Sequence, residues 1–198
     1  MSACCVIVFV LAAVADWVAV TRGRTAVEYV AKPAALAALI GYAATAAHPS
    51  GGLVIALLLS LLGDVYLMLP ADLFAAGLGA FLLAHLAYIH EFDATWLVRL
   101  FWWLVVLAAA SPLARRVLRS IEDPKLRPAV GVYLAVIALL LASAIASGSR
   151  LAAAGALSFL VSDGLIAWNR FVQPLAGARP VIMVTYHLAQ LALVVALR

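Results

Sequence analysis

Two aspartates, Asp64 and Asp163, stand inside long apolar runs of a 198-residue chain that is 68% hydrophobic and only 11% charged. A carboxyl removed from water holds its proton more tightly, and a second carboxyl nearby strengthens the effect. Two such groups can therefore divide acid and base roles between them. Their polar company is Asn169, Tyr186, His187 and Gln190, with Lys32, His85, Asp16 and Glu28 in earlier runs. Lys32 offers a point charge suited to an anionic phosphate. Asn169, Tyr186, His187 and Gln190 would line a ligand-binding cavity as hydrogen-bonding groups.

Each of these residues also has a plainer reading. Asp64 and Asp163 could cap helices, hydrogen-bond or pair with Lys32 merely to hold the protein together. Two carboxylates at matched depth in lipid are expensive, however, which favours a function. Tyr186, His187 and Gln190 are equally explained by interhelical hydrogen bonds. His85 reads as structural, and Asp16 and Glu28 as side chains that reach interfacial water. Ser60 and Ser158 lack a base at a defined spacing, so nucleophilic catalysis is not expected. Two histidines and two aspartates could ligate zinc, but no H-x-x-x-H pairing is present; neither a metal nor a cofactor is expected. Cys4 and Cys5 are adjacent and read as packing or lipid-contact residues. The net charge of +4 comes without a basic patch interleaved with aromatics, so no nucleic-acid partner is expected.

The elements that position these groups are apolar segments. A mean hydropathy of +1.15 is more than a water-soluble chain of this size could hide. The runs fit helices crossing a hydrocarbon layer of roughly 30 Å, and they lack the alternation of a membrane β-barrel. Eight spans are expected, at residues 3–20, 27–47, 53–69, 73–90, 96–110, 129–147, 151–169 and 181–197. They form an all-α bundle, a single transmembrane domain over 1–198. The first span has no cationic leader and no small-residue cleavage site, so it reads as retained. Residues 114–128 form the one substantial polar connection. Trp17, Trp96 and Trp168 fall near span ends as an interfacial belt, while Trp102 and Trp103 lie deeper.

With eight spans, ten of the thirteen basic residues fall on one face: Arg22, Arg24, Lys32, Arg115, Arg116, Arg119, Lys125, Arg127, Arg170 and Arg179. The positive-inside bias then puts both termini outside. Asp64 and Asp163 each lie about 4.5 Å past the middle of a span running inward. Lys32, Asp16 and Asn169 sit at cytoplasmic helix ends, so most of these groups converge on a cavity in the cytoplasmic half. His85-Leu86-Ala87 and His187-Leu188-Ala189 each follow a span carrying an aspartate, which is compatible with a 4+4 parallel repeat. Gly63, Gly77, Gly79 and Gly155 read as close-packing positions.

The same residues resemble the YhhN family, in Ser60-Leu61-Leu62-Gly63-Asp64, in Gly79 through His85 with Tyr88, in Gly155 through Asp163 with Asn169 and Phe171, and in Thr185-Tyr186-His187-Leu188-Ala189-Gln190. Lys32-Pro33 belongs to the same likeness, which covers nearly the whole chain in order. The family consists of small eight-span proteins that include the animal lysoplasmalogenases. The resemblance implies hydrolysis of the vinyl ether of a lysoplasmalogen, a lysophospholipid, to a fatty aldehyde and glycerophosphoethanolamine or glycerophosphocholine. It also implies that Asp64 and Asp163 are catalytic. The compact, Ala-rich chain reads as bacterial, which would put it in the cytoplasmic (inner) membrane and leave other lysolipid or ether substrates open. An intramembrane aspartyl protease would show Gly-x-Gly-Asp, but Leu61 stands at the first glycine. A lipid or small-molecule transporter using the same cavity should have helices broken at mid-membrane, and the apolar runs are continuous.

Overall fold

A computed structural model describes residues 2–198. Among them there are eight helices and no strand: α1 (Ser2–Thr21), α2 (Thr25–Ala44), α3 (Gly51–Met68), α4 (Phe74–His90), α5 (Trp96–Ser120), α6 (Leu126–Ala146), α7 (Arg150–Phe171) and α8 (Ala178–Leu197). Six of them, α1, α3, α5, α6, α7 and α8, are long and apolar enough to cross a membrane. The 17-residue α4 is shorter. The 20-residue α2 carries Glu28 and Lys32, which lower its hydropathy. The chain is a multi-pass integral membrane protein. It divides into two compact units, one running to Glu91 and including Leu197 and Arg198, the other Phe92–Ala196.

In the first unit, α1 ends at a Schellman turn. Gly23 takes φ 66° and its N–H donates to the Val20 carbonyl, while the Arg24 N–H donates to the Ala19 carbonyl at 2.8 Å. The turn folds α2 back along α1. Ala13, Ala19, Ala31 and Ala35 are buried there, because small side chains let two backbones approach closely. The packing of α3 on α4 depends on glycine. A Cβ at Gly63 would lie 2.6 Å from the Phe81 ring, and one at Gly77 would lie 2.7 Å from Leu67. Gly79 has nothing within 4 Å, so the close-packing expectation fails there: its face of α4 meets no neighbour.

The second unit differs from expectation at α5. The span expected to end at 110 continues through Pro112 to Ser120, so the polar connection shrinks from 114–128 to 121–125. Arginines do not break helices, and Val117 and Ile121, one turn apart, are both buried. Polarity marks where a helix leaves lipid, not where it stops. The Trp103 indole N–H donates to the Ala135 carbonyl on α6 at 2.9 Å. In α7, Gly155 brings α8 close: a Cβ there would stand 3.0 Å from the Ala192 Cβ and 3.2 Å from the Ala189 carbonyl.

Both aspartate-bearing helices start in the same way. The Ser50 hydroxyl caps α3 by accepting from the Leu53 N–H, and the Ser149 hydroxyl caps α7 by accepting from the Ala152 N–H. Asp64 and Asp163 each lie fourteen residues beyond their capping serine. At 1.5 Å per residue, each carboxyl is about 20 Å along its helix.

Candidate functional site

In the first unit the α3 aspartate meets the α2 lysine. Lys32 Nζ stands 2.9 Å from Asp64 Oδ1, with side-chain exposures of 6% and 0%. Neither ion could be carried there alone, since an isolated charge removed from water costs many kcal/mol. Lys32 is thus buried within α2 rather than standing at its end. It lies seven residues into α2, and Pro33 after it is also within the helix. The expectation that Asp16 and Glu28 reach interfacial water fails as well, because both are buried.

His85, Ser60 and Tyr88 complete this set and are wholly buried. The Ser60 hydroxyl donates to the Ala56 carbonyl at 2.9 Å and shares a side-chain hydrogen bond with Tyr88. The Phe81 ring that occupies the notch over Gly63 also lies against His85, with ring centroids 6.4 Å apart. The backbone next to Asp64 is therefore fixed by packing.

In the second unit the α7 aspartate meets a residue that sequence reasoning passed over. The Tyr133 hydroxyl on α6 donates to Asp163 Oδ2. The available signal was a phenol in an otherwise aliphatic run: a buried tyrosine hydroxyl needs a partner, and a carboxyl on the next helix supplies one. Tyr186, His187 and Gln190 are all buried on α8. Gln190 Nε2 donates to the Tyr186 hydroxyl one turn away at 3.2 Å, and the Phe159 ring packs edge-on against Tyr186 at 5.7 Å. The Ser162 hydroxyl donates to the Ile182 carbonyl at 3.2 Å, tying α7 to α8 beside Asp163. Asn169 has a structural partner, since its Oδ1 accepts from the Leu175 N–H at 2.7 Å and so holds the α7–α8 connection.

Each unit therefore carries a carboxyl on its third helix partnered by a polar side chain on its second, a cation in one case and a phenol in the other. A carboxylate beside an ammonium is suited to accept a proton from water, and a carboxyl bonded to a phenol is suited to be held in one orientation.

An all-helical membrane protein with buried carboxyls partnered on neighbouring helices is the class that fold and site define. The chain belongs to the YhhN family, whose model matches residues 27–197. It is 40% identical over 147 residues to the human (Homo sapiens) protein named Lysoplasmalogenase TMEM86B, covering 72% of this chain and 63% of that one. The pig (Sus scrofa) protein of that name is 41% identical over 135 residues, 68% of this chain and 58% of its own. Human Lysoplasmalogenase TMEM86A is 34% identical over 158 residues, 73% and 65% of the two chains. This chain thus spans less than two thirds of the length of these relatives. No solved structure matches it.

Proposed function

We propose that this protein is a membrane-embedded hydrolase that cleaves the vinyl ether of a lysoplasmalogen, with Asp64 and Asp163 serving one reaction. The observation that carries the reading is the unlike partnering of the two aspartates, since an acid–base pair needs two carboxyls in different environments. The names of its relatives agree with it.

The Lys32 ammonium keeps Asp64 as the proton acceptor, and Asp163, oriented by Tyr133, is the proton donor. Asp163 gives a proton to the alkenyl carbon remote from the ether oxygen, leaving an oxocarbenium ion. Asp64 takes a proton from water as the water oxygen bonds to the cationic carbon. The resulting hemiacetal collapses: Asp64 gives its proton to the glycerol oxygen as the C–O bond breaks, and Asp163 takes the hydroxyl proton as the aldehyde carbonyl forms. Water is consumed, both carboxyls are restored, and no redox partner is needed. Tyr186, His187 and Gln190 bind the substrate's polar part, and the chain works as a single transmembrane domain.

We place this chemistry in an eight-span bundle of 4+4 parallel repeat with both termini outside, in a bacterial cytoplasmic membrane. The equal spacing from Ser50 to Asp64 and from Ser149 to Asp163 supports the repeat. With Lys32 moved into the interior, nine of the other twelve basic residues still fall on one side of the assumed eight spans, which supports the orientation.

The test is aldehyde release from a lysoplasmalogen by the purified full chain in detergent. Asp64→Asn and Asp163→Asn, folded as judged by gel filtration and helical circular dichroism, are each expected to lower kcat by roughly 10²–10⁴-fold. Undiminished turnover in either variant removes that residue from the mechanism.

A further inference from the structure

Beside the Tyr133–Asp163 pair, α5, α6 and α7 enclose an apolar groove of about 650 Å³, within the range of small-molecule sites. Its lining runs over residues 102–117 of α5, 134–145 of α6 and 157–168 of α7. At 1.5 Å per residue these stretches are about 16 to 22 Å long. Half of a hydrocarbon layer of roughly 30 Å is about 15 Å, so the groove has the length of one chain in one leaflet.

The two ends of the groove differ. Leu157 and Ile145, with the Trp102 ring on α5, mark one end. The other end contains Leu134 and Gly164, the residues directly after Tyr133 and Asp163. It also contains Trp168, whose buried indole Nε1–H has no hydrogen-bond acceptor among the described residues. A buried donor without an acceptor costs free energy, and a turn of the indole toward the groove would let an oxygen on a bound molecule remove that cost. Gly164 keeps this end open: a Cβ there would already touch Leu113 at 3.5 Å, and anything larger would enter the groove.

We infer that the groove is the tail subsite for the single hydrocarbon chain of a lysolipid, with the oxygen that joins the chain to glycerol at the Trp168 end. This inference rests on the hydrolase reading. It adds that specificity for one chain is set by α5–α7, and that the first carbons of the chain are delivered next to Asp163. A bilayer phospholipid carries two chains and one groove holds one, so lysolipids are selected over their diacyl parents.

The experiment uses the full chain in nanodiscs with a saturated 1-O-alkyl lysophospholipid bearing a diazirine at the chain terminus, a probe that cannot be cleaved at a vinyl ether. Photolabelled peptides are expected to concentrate around residues 102, 145 and 157, and labelling should fall at least tenfold with excess unlabelled lysolipid. Ala110→Trp, which fills the middle of the groove, is expected to reduce that labelling about tenfold and to shift aldehyde release from long toward short chains. Labelling spread over the exposed faces of α1 and α3, or competed equally by diacyl phospholipid, overturns the inference: the groove then holds ordinary bilayer chains. If Ala110→Trp does not fold, wild-type labelling alone decides. Localised labelling without aldehyde release from any lysolipid would sink the hydrolase reading and keep the groove; robust release with diffuse labelling would do the reverse.

Discussion

Lys32 Nζ and Asp64 Oδ1 are 2.9 Å apart with neither side chain open to the surface, which makes this ion pair a fastener between α2 and α3; in the proposed reaction it also holds the proton acceptor. The two roles separate by substitution. Removing one partner strands a buried charge, so Lys32→Met or Asp64→Leu is expected to lower stability by about 3–5 kcal/mol. The double variant leaves no charge unpaired and should regain most of that loss. Thermal unfolding in detergent, followed by tryptophan fluorescence, measures the stabilities. Aldehyde release should stay absent in the double variant although the fold has recovered; recovery of both would make the pair purely structural and take Asp64 out of the chemistry.

The Tyr133 hydroxyl donates to Asp163, and in the proposed reaction it orients that carboxyl without itself transferring a proton. Tyr133→Phe keeps the ring and deletes the hydroxyl, which is expected to cost about 0.5–1.5 kcal/mol with Asp163 neutral as the proton donor. The larger effect should be kinetic. A carboxyl free to rotate loses its alignment, so kcat is expected to drop on the order of tenfold to a hundredfold with KM little changed. Steady-state kinetics with a long-chain lysoplasmalogen separate the two parameters, and an unchanged kcat would leave Tyr133 as a packing residue only.

The eight helices were legible because a helix in lipid must be apolar along its length, so composition and position coincide. The Ser50 and Ser149 caps and the close approaches at Gly63 and Gly155 belong to the same local grammar. The end of α5 was not legible, because Arg115, Arg116 and Arg119 change the solvent a helix prefers without changing its backbone. Neither was the burial of Lys32 and Asp16. Depth along one helix can be counted in residues, but rotational setting is decided by the neighbouring helix, and alanine-rich faces say little about which neighbour that is. Tyr133 escaped for the same reason: its partner is thirty residues away on another helix.

Two glycines should respond oppositely to the same change. At Gly63 an alanine Cβ would stand 2.6 Å from the Phe81 ring, so Gly63→Ala is expected to destabilise by about 1–3 kcal/mol and to disturb Asp64 next to it. Phe81→Leu in the same chain should relieve part of the clash. At Gly79 no atom lies within 4 Å of the added Cβ, so Gly79→Ala should be neutral or stabilising by up to about 1 kcal/mol through better helix propensity. Equal unfolding temperatures for the two alanine variants would contradict this packing of α3 against α4.

Asn169 separates ligand binding from loop anchoring. Its Oδ1 accepts from the Leu175 N–H at 2.7 Å, so Asn169→Ala is expected to lower stability by about 1 kcal/mol as the α7–α8 connection loosens. Asn169→Asp keeps an acceptor in the same place and should restore the loss. If Asn169 only anchors the loop, Asn169→Asp should also keep KM for the lysolipid within about twofold of the unsubstituted chain. If the amide instead touches the anionic head of the substrate, the added carboxylate repels it, and KM should rise by tenfold or more although the loop is intact. Measuring KM and unfolding temperature on the same two variants reads both roles at once, because only the binding role makes aspartate worse than alanine.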